Sequence, residues 1–263
     1  MKRQRKYSYY TPNAHTTGSP AFPSDKALRA LEAELDQVFG NKGYGIGARV
    51  MVEDTPDELW LLIRRGERLA RVAAVDKDGD SVIHILRPEN YDVVIVNKRH
   101  ALLKVLSKPD NQGLHAYYRT LFGDLLYGST TAFVERNCFN LEQFKTANRT
   151  IIATTGCLEI RHTALVGVYY EFPGVKKSSC RLKSPDIFAM RGPGEPAIPM
   201  HSIPRDVTVK LEFRDDGSNV EVKIFSTNVT TFSREGAAYA ADEWMIQSDI
   251  LTLQEPADNA KIA

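Results

Sequence analysis

The stretch from Glu58 to Leu126 constrains the fold more than any other, because short apolar runs follow one another through tight turns and end in an amphipathic helix. The first run, Leu59–Ile63, has the length of a buried strand. Four further strand-like runs follow it: Leu69–Val75, Ser81–Leu86, Tyr91–Val96 and Ala101–Leu106. The connections are too short for parallel crossovers, so the pattern predicts an antiparallel meander.

Two amphipathic helices are predicted beside these strands. The later one has the clearest periodicity in the chain, with one apolar face made of Leu114, Tyr117, Tyr118, Leu121, Phe122 and Leu125. The earlier one begins after Ser24 as N-cap, and its apolar stripe leads to Phe39 and a terminating Gly40. Such faces need an apolar partner, which a sheet provides. The predicted fold class is therefore α+β, with mainly antiparallel sheets (meander and hairpins) covered by a few amphipathic helices.

The second half of the chain continues in the same style. Its clearest signal is a hairpin in which Val207–Phe213 and Val220–Ile224 alternate apolar and charged residues around an Asp-Asp-Gly turn. The remaining elements are predicted with less regular patterns: short strands at Thr150–Thr154 and Cys157–His162, a helix start at Ser184–Asp186, a Pro-rich linker or loop at Gly192–Pro204, and a final helix capped by Ser233 with Ala237 and Trp244 on its packing face.

These elements predict four segments along the chain. They are a basic and aromatic flexible arm (1–23), a helix–meander–helix domain (24–130), a second α+β half (131–253) and a frayed tail (254–263). The segment RPENYDVV (87–94) resembles stretches in uncharacterised bacterial proteins, which implies a prokaryotic origin and no functional residue.

Charge distribution indicates a candidate nucleic-acid site at the N-terminus. The chain carries a net charge of +1, while its first six residues carry four positive charges, so the remainder is acidic by three. Basic residues mixed with aromatic ones suit phosphate contact and base stacking. The candidate residues in this arm are Lys2, Arg3, Arg5, Lys6, Tyr7, Tyr9 and Tyr10. Two internal basic clusters extend the list. One contains Lys98, Arg99, His100, Lys104 and Lys108, and the other contains Lys176, Lys177, Arg181 and Lys183. The candidate residues in these clusters are Lys98, Arg99, Lys176 and Lys177.

Catalytic and metal-binding patterns are not found in the sequence. The six histidines form no HExxH or HxxxH arrangement, and Cys138, Cys157 and Cys180 contain no CxxC pair. Neither a GxSxG nor a GxxxxGK[ST] motif occurs. We therefore expect no catalytic residue, no metal and no cofactor. Scattered carboxylates leave one enzymatic alternative, in which Asp92 and Lys104 act as an acid and base pair of a metal-dependent nuclease.

Three functions are compatible with the basic clusters and with the missing catalytic motifs. The first is a non-enzymatic structural or interaction subunit of a larger cytoplasmic assembly, with other protein subunits or a second copy of itself as partners. The second is a nucleic-acid-binding protein that contacts DNA or RNA through the basic arm. The third is the nuclease. No apolar run approaches the ~18 residues that a membrane span needs, and no secretory signal begins the chain, so we expect a cytoplasmic protein without a membrane partner.

Overall fold

A computed structural model describes residues 5–16, 18–107, 112–146, 149–153, 157–174, 178–191, 195–232 and 238–253. The helices are α1 (Asp25–Asn41), α2 (Gln112–Tyr127), α3 (Ile187–Met190) and α4 (Ala238–Gln247). The strands are β1 (Arg5–Pro12), β2 (Arg49–Asp54), β3 (Glu58–Gly66), β4 (Ala70–Val75), β5 (Ser81–Leu86), β6 (Glu89–Asn97), β7 (Leu102–Leu106), β8 (Phe133–Val134), β9 (Ile160–Phe172), β10 (Ser178–Lys183), β11 (Ile203–Phe213), β12 (Asn219–Phe225) and β13 (Val229–Phe232). The fold is α+β with mainly antiparallel sheets, so the predicted fold class is confirmed.

The chain divides into two compact units. Unit I is Thr16–Ala132, and unit II combines Met1–His15 with Phe133–Ala263. The N-terminal segment thus belongs to the unit built from the second half of the sequence. Arg5–Pro12 is a strand that pairs antiparallel with β13, which corrects the expectation of a flexible arm over these residues.

Unit I contains a four-stranded sheet in the order β2–β3–β6–β7. Its helices cover one face of this sheet, because Phe39 of α1 lies against Arg65 of β3 and Tyr118 of α2 bonds Asp92 of β6. Ser24 caps α1 as predicted, accepting a hydrogen bond from the Ala27 amide. The core between the helices and the sheet is apolar, and each fully buried Leu or Phe contributes about 1.5–3 kcal/mol.

The meander prediction for unit I is right in its strands and wrong in their connection. β3 pairs directly with β6, from Glu58 opposite Asn97 to Gly66 opposite Glu89. The two strands between them, β4 and β5, pair with each other and form a separate two-stranded hairpin. The sequence signal was ambiguous because a local hairpin and a meander have the same turn chemistry.

Unit II contains an antiparallel sheet in the order β10–β9–β11–β12–β13–β1, with β8 on the end of β1. The predicted hairpin is present as β11 and β12, and its apolar side is buried except for the half-buried Phe213. Helix α4 packs on this side, where Asp242 accepts a hydrogen bond from Tyr9 of β1. This buried side is the core of the unit, and the opposite side of the sheet carries the charged residues of the hairpin.

Several smaller predictions for unit II need correction. Arg149–Ile152 is a 3-10 helix rather than a strand, and the strand predicted from Cys157 begins at Ile160. Asp186, not Ser184, caps α3, because its carboxylate accepts from the Phe188 and Ala189 amides. The Pro-rich segment packs within the unit, since Ala197 and Ile198 are buried, so it is not an interdomain linker. Gly192, Ser233, Ala237 and the tail 254–263 lie outside the described residues.

Candidate nucleic-acid interface

A row of paired residues crosses the charged side of the unit II sheet. Directly opposite residues project to the same side, so the register of each strand pair identifies its members. The row consists of Lys6, Thr231, Lys223, Thr208, Gly167 and Lys183. At about 4.8 Å per strand its ends lie about 24 Å apart. Three lysines from three distant parts of the sequence therefore lie along one line.

Two further cations complete what we call the basic face, defined as Lys6, Arg181, Lys183, Lys210 and Lys223 on this side of the sheet. Arg181 lies two residues before Lys183 on β10, and Lys210 lies two residues after Thr208 on β11, so both project to the same side. Within the described part of the chain, Lys6, Lys183 and Lys210 make no ion pair. Their charges are available to a partner.

Asp206 holds the other two cations of the basic face in place. Its Oδ2 lies 3.1 Å from Lys223 Nζ and 3.5 Å from Arg181 Nη2, and the Asp206 side chain is nearly buried. Each cation also lies over an aromatic ring, with the Arg181 guanidinium 4.7 Å from the centre of Tyr169 and Lys223 Nζ 4.6 Å from the centre of Phe225. The basic face therefore combines fixed cations with half-buried aromatic rings.

An open hollow of about 690 Å³ lies within the basic face, with Gly167 and Thr208 in its lining. A side chain at position 167 would crowd the floor, because a Cβ there would lie 3.2 Å from both Cβ and Oγ1 of Thr208. The register between β9 and β11 also shifts between Thr208 and Val209, which marks a β-bulge. Glycine and bulge together leave space at the centre of the sheet. The charged residues that line this space are four cations, Arg181, Lys183, Lys210 and Lys223, and one carboxylate, Glu221.

The structure separates the residues proposed for the N-terminal arm. Lys6 is exposed on the basic face, whereas Tyr7 and Tyr9 are fully buried on the opposite side of β1, and Tyr10 is buried as well. The prediction that these tyrosines stack on bases is therefore wrong, because they already pack inside the protein. Lys2, Arg3, Lys176 and Lys177 lie outside the described residues, and the side chain of Arg5 is not described.

The buried tyrosines fix β1 to the core of unit II. The Tyr9 hydroxyl donates to Asp242 Oδ1 at 2.6 Å and accepts from the Thr230 hydroxyl at 3.2 Å. Burial, reinforced by the charge of Asp242 and its hydrogen bond, raises the pKa of Tyr9 well above its ordinary value. Tyr7 makes an edge contact with Phe232, with 5.7 Å between ring centres.

The internal basic pair Lys98 and Arg99 lies in unit I, at the turn between β6 and β7. Lys98 Nζ lies 2.5 Å from Asp54 Oδ1 and also donates to the Thr55 carbonyl. Arg99 is exposed, and its amide donates to Asn97 Oδ1 at 3.0 Å. Lys98 thus holds this turn against the connection between β2 and β3.

The acid and base pair proposed for a nuclease does not form. Asp92 is opposite Ile63, and Lys104 is opposite Ile95. Asp92 and Ile95 are three residues apart on β6, so they project to opposite faces of the sheet, and so do Asp92 and Lys104.

Each of these two groups has its own buried partner. Asp92 receives two hydrogen bonds from Arg65, at 2.6 and 3.2 Å, and one from the Tyr118 hydroxyl at 2.9 Å. Burial and the Asp92 charge raise the pKa of Tyr118 well above its ordinary value. Lys104 Nζ lies 2.7 Å from Glu58 Oε1, and both side chains are buried. Closed buried pairs of this kind fix a fold and leave no free proton carrier.

The cysteines and histidines do not come together in the described ranges. No group of three or more His, Cys, Asp or Glu side chains there has the arrangement of a metal site. All three cysteines are free thiols. Burial raises the pKa of Cys138 to about 12, so this thiol is not ionised at neutral pH and is a poor nucleophile.

Comparison with known proteins found no matching family model and no matching curated protein. Among the helices that the structure describes, none has both the length and the apolar composition that crossing a bilayer requires.

Proposed function

We propose that the protein is a non-enzymatic binding subunit that holds single-stranded DNA or RNA along the basic face of unit II. The observation that carries the proposal is the convergence of Lys6, Arg181, Lys183, Lys210 and Lys223 on one side of the sheet. A cluster of cations on one surface suits contact with a phosphate backbone, which supplies most of the affinity in nucleic-acid binding.

Single strands suit this surface better than duplexes. Tyr169 and Phe225 lie beside the cations, and unpaired bases stack on aromatic rings or on guanidinium planes. A duplex is usually entered by a helix or a β-ribbon that reaches into a groove. The basic face is a broad sheet surface with an open hollow, which offers a track for an extended strand.

The proposal places the protein in the cytoplasm. Its three cysteines are free thiols, and thiols persist in the reducing compartments where nucleic acid is also found. Membership of a larger assembly is the other part of the proposal, and it is supported by a separate surface in unit I that is described below.

The test is fluorescence anisotropy of a labelled single-stranded oligonucleotide at several salt concentrations. We expect the double variant Lys183→Gln and Lys210→Gln to bind at least about tenfold more weakly at low salt, because two phosphate contacts are lost. The slope of log affinity against log salt should become shallower by about 1.4, at about 0.7 for each contact to a single strand. Both lysines are exposed, so the variant should melt like the wild type.

The matched control is Lys26→Gln, which removes an exposed lysine of α1 in unit I. This control should bind like the wild type. Equal losses in the control and in the double variant would show a non-specific charge effect and contradict the proposal. Poly-glutamate should displace the labelled oligonucleotide only at a much higher concentration of negative charge than unlabelled oligonucleotide requires. Displacement at an equal concentration of negative charge would indicate an acidic protein as ligand and contradict the proposal.

A further inference from the structure

The hairpin formed by β4 and β5 is not part of the four-stranded sheet of unit I. In the residues that the structure describes, its two strands pair only with each other. Its turn is well formed, since the Asp76 amide donates to the Asp80 carbonyl at 2.9 Å and Gly79 has φ of +90°. This is a three-residue loop with glycine in the left-handed position.

One face of the hairpin is mainly apolar and exposed. Cross-strand pairing places Ala73 opposite Ile83 and Val75 opposite Ser81 on this face, with Arg71 opposite Ile85 at the end nearer the base. Leu69 projects to the same face by alternation. The exposed fractions of its large side chains are 62% for Leu69, 73% for Val75, 59% for Ile83 and 69% for Ile85. A lone two-stranded hairpin is only marginally stable in water, and a contiguous exposed apolar face marks an interaction surface.

The charges at the two ends of the hairpin are opposite in sign. Its tip carries three carboxylates and one lysine within Asp76–Asp80, and its base carries Arg68, Arg71 and Arg87 beside one carboxylate, Glu67, so the base is net positive. Arg68 and Arg71 are exposed, and neither makes an ion pair within the described ranges. A surface with a negative tip and a positive base is complementary to a second copy of itself turned through 180°.

We propose that this chain self-associates by packing the apolar face of one β4–β5 hairpin on the same face of a second copy, with the two hairpins antiparallel about a two-fold axis. The acidic tip of one copy then lies beside the arginines at the base of the other. Two such faces interdigitate like the sheets of a sandwich. Each face is about 20 Å by 10 Å, so the interface is small and the dimer reversible.

The charge pattern favours a second copy over another protein. An isologous interface needs one patch that is complementary to itself, and the hairpin has this property through its own sequence. A different partner would need only the apolar face and would leave the opposite charges of tip and base unexplained. The inference is independent of nucleic-acid binding, because the basic face belongs to unit II.

Sedimentation velocity over a range of protein concentrations tests the proposal. The wild type should change from monomer to dimer as concentration rises, and Ile85→Lys should raise the dissociation constant at least about tenfold by placing a charge in the apolar face. The matched control is His84→Lys, on the same strand but on the opposite face, which should dimerise like the wild type. A wild type that remains monomeric at every concentration overturns the proposal, as does a dimer unaffected by Ile85→Lys.

A charge exchange distinguishes self-pairing from other modes of association. Arg71→Glu should weaken the dimer, and adding Asp80→Lys to the same chain should restore it, because tip and base meet only between copies. Failure of the second change to restore association contradicts the antiparallel arrangement. If Ile85→Lys does not fold, as judged by circular dichroism, a chain in which Asn-Gly replaces Ala70–Leu86 takes its place and should be monomeric.

Discussion

At the scale of single residues, Tyr9 connects an N-terminal strand to a buried carboxylate. Its hydroxyl lies between Asp242 and Thr230, in a position that excludes water. Burial is the largest cause of its raised pKa, and the charge of Asp242 adds to it. The folded state therefore holds the phenolic proton more tightly than the unfolded chain does.

This difference predicts an alkaline loss of stability. The unfolded-state pKa of tyrosine is about 10, so the contribution of Tyr9 is complete below that pH and is lost as pH rises toward the higher folded pKa. We expect Tyr9→Phe to lower the unfolding free energy at neutral pH by about 1–3 kcal/mol, because Asp242 loses a buried donor. Above about pH 10 the unfolding free energy of Tyr9→Phe should fall less steeply with pH than that of the wild type. The two slopes should differ by up to about 1.4 kcal/mol per pH unit.

Urea unfolding between about pH 7 and pH 11 measures both effects. The control is Tyr91→Phe, which removes an exposed hydroxyl in unit I. This hydroxyl donates to Glu89 Oε2 at 3.1 Å. This control should follow the wild type at neutral pH. Wild-type stability and wild-type pH dependence in Tyr9→Phe would contradict the account of β1.

The sequence of β1 contained part of this information. Lys6, Tyr7, Ser8 and Tyr9 alternate polar and aromatic residues, which is the pattern of a strand with one buried side. The cluster of positive charge drew the interpretation toward a solvated arm instead. The partner strand, β13, lies more than two hundred residues away, and no local pattern predicts a pairing of that separation.

At the scale of elements, the hairpin β4–β5 is attached through a fixed base. The Arg87 guanidinium donates to the carbonyls of Glu67, at 2.8 Å, and Gly43, at 2.5 Å. Gly66 permits this approach, because a Cβ there would lie 2.5 Å from Arg87 Cδ and 2.4 Å from the Tyr44 carbonyl oxygen. The base is therefore anchored in unit I, while the strands of the hairpin extend beyond it.

This attachment predicts that unit I folds without the hairpin. Replacing Ala70–Leu86 by Asn-Gly keeps Glu67, Arg87 and the direct pairing of β3 with β6. We expect cooperative unfolding with a free energy within about 1 kcal/mol of the wild type, since the removed residues are mostly exposed and form a locally independent segment. Loss of cooperative thermal unfolding, followed by circular dichroism, would show that the hairpin is part of the core.

Elements with strong local signals were predictable, and their neighbours in space were not. The Ser24 cap of α1, the apolar face of α2 and both hairpin turns follow from side-chain chemistry within a few residues. The 3-10 helix Arg149–Ile152 was missed because its β-branched residues favour a strand when context is ignored. The direct pairing of β3 with β6, although β4 and β5 lie between them in sequence, depends on packing across the sheet.

At the scale of the whole molecule, the proposed site is assembled from four strands that come from three separate parts of the sequence. Lys6, Arg181, Lys183, Lys210 and Lys223 belong to β1, β10, β11 and β12. The sequence identified Arg181 and Lys183 as basic and Lys210 and Lys223 as part of a charged hairpin face, but adjacency required the sheet order. A net charge of +1 hides this concentration of positive charge on one face.

The most direct test of the central claim is to locate the nucleic acid on the protein. Ultraviolet crosslinking of a thymidine-rich single strand, followed by mass spectrometry of the peptides, identifies the aromatic residues that contact bases. The account predicts crosslinks at Tyr169 and Phe225 on the basic face, lost when Lys183 and Lys210 are changed to Gln. Crosslinks confined to unit I, or equal crosslinking in that variant, would contradict it.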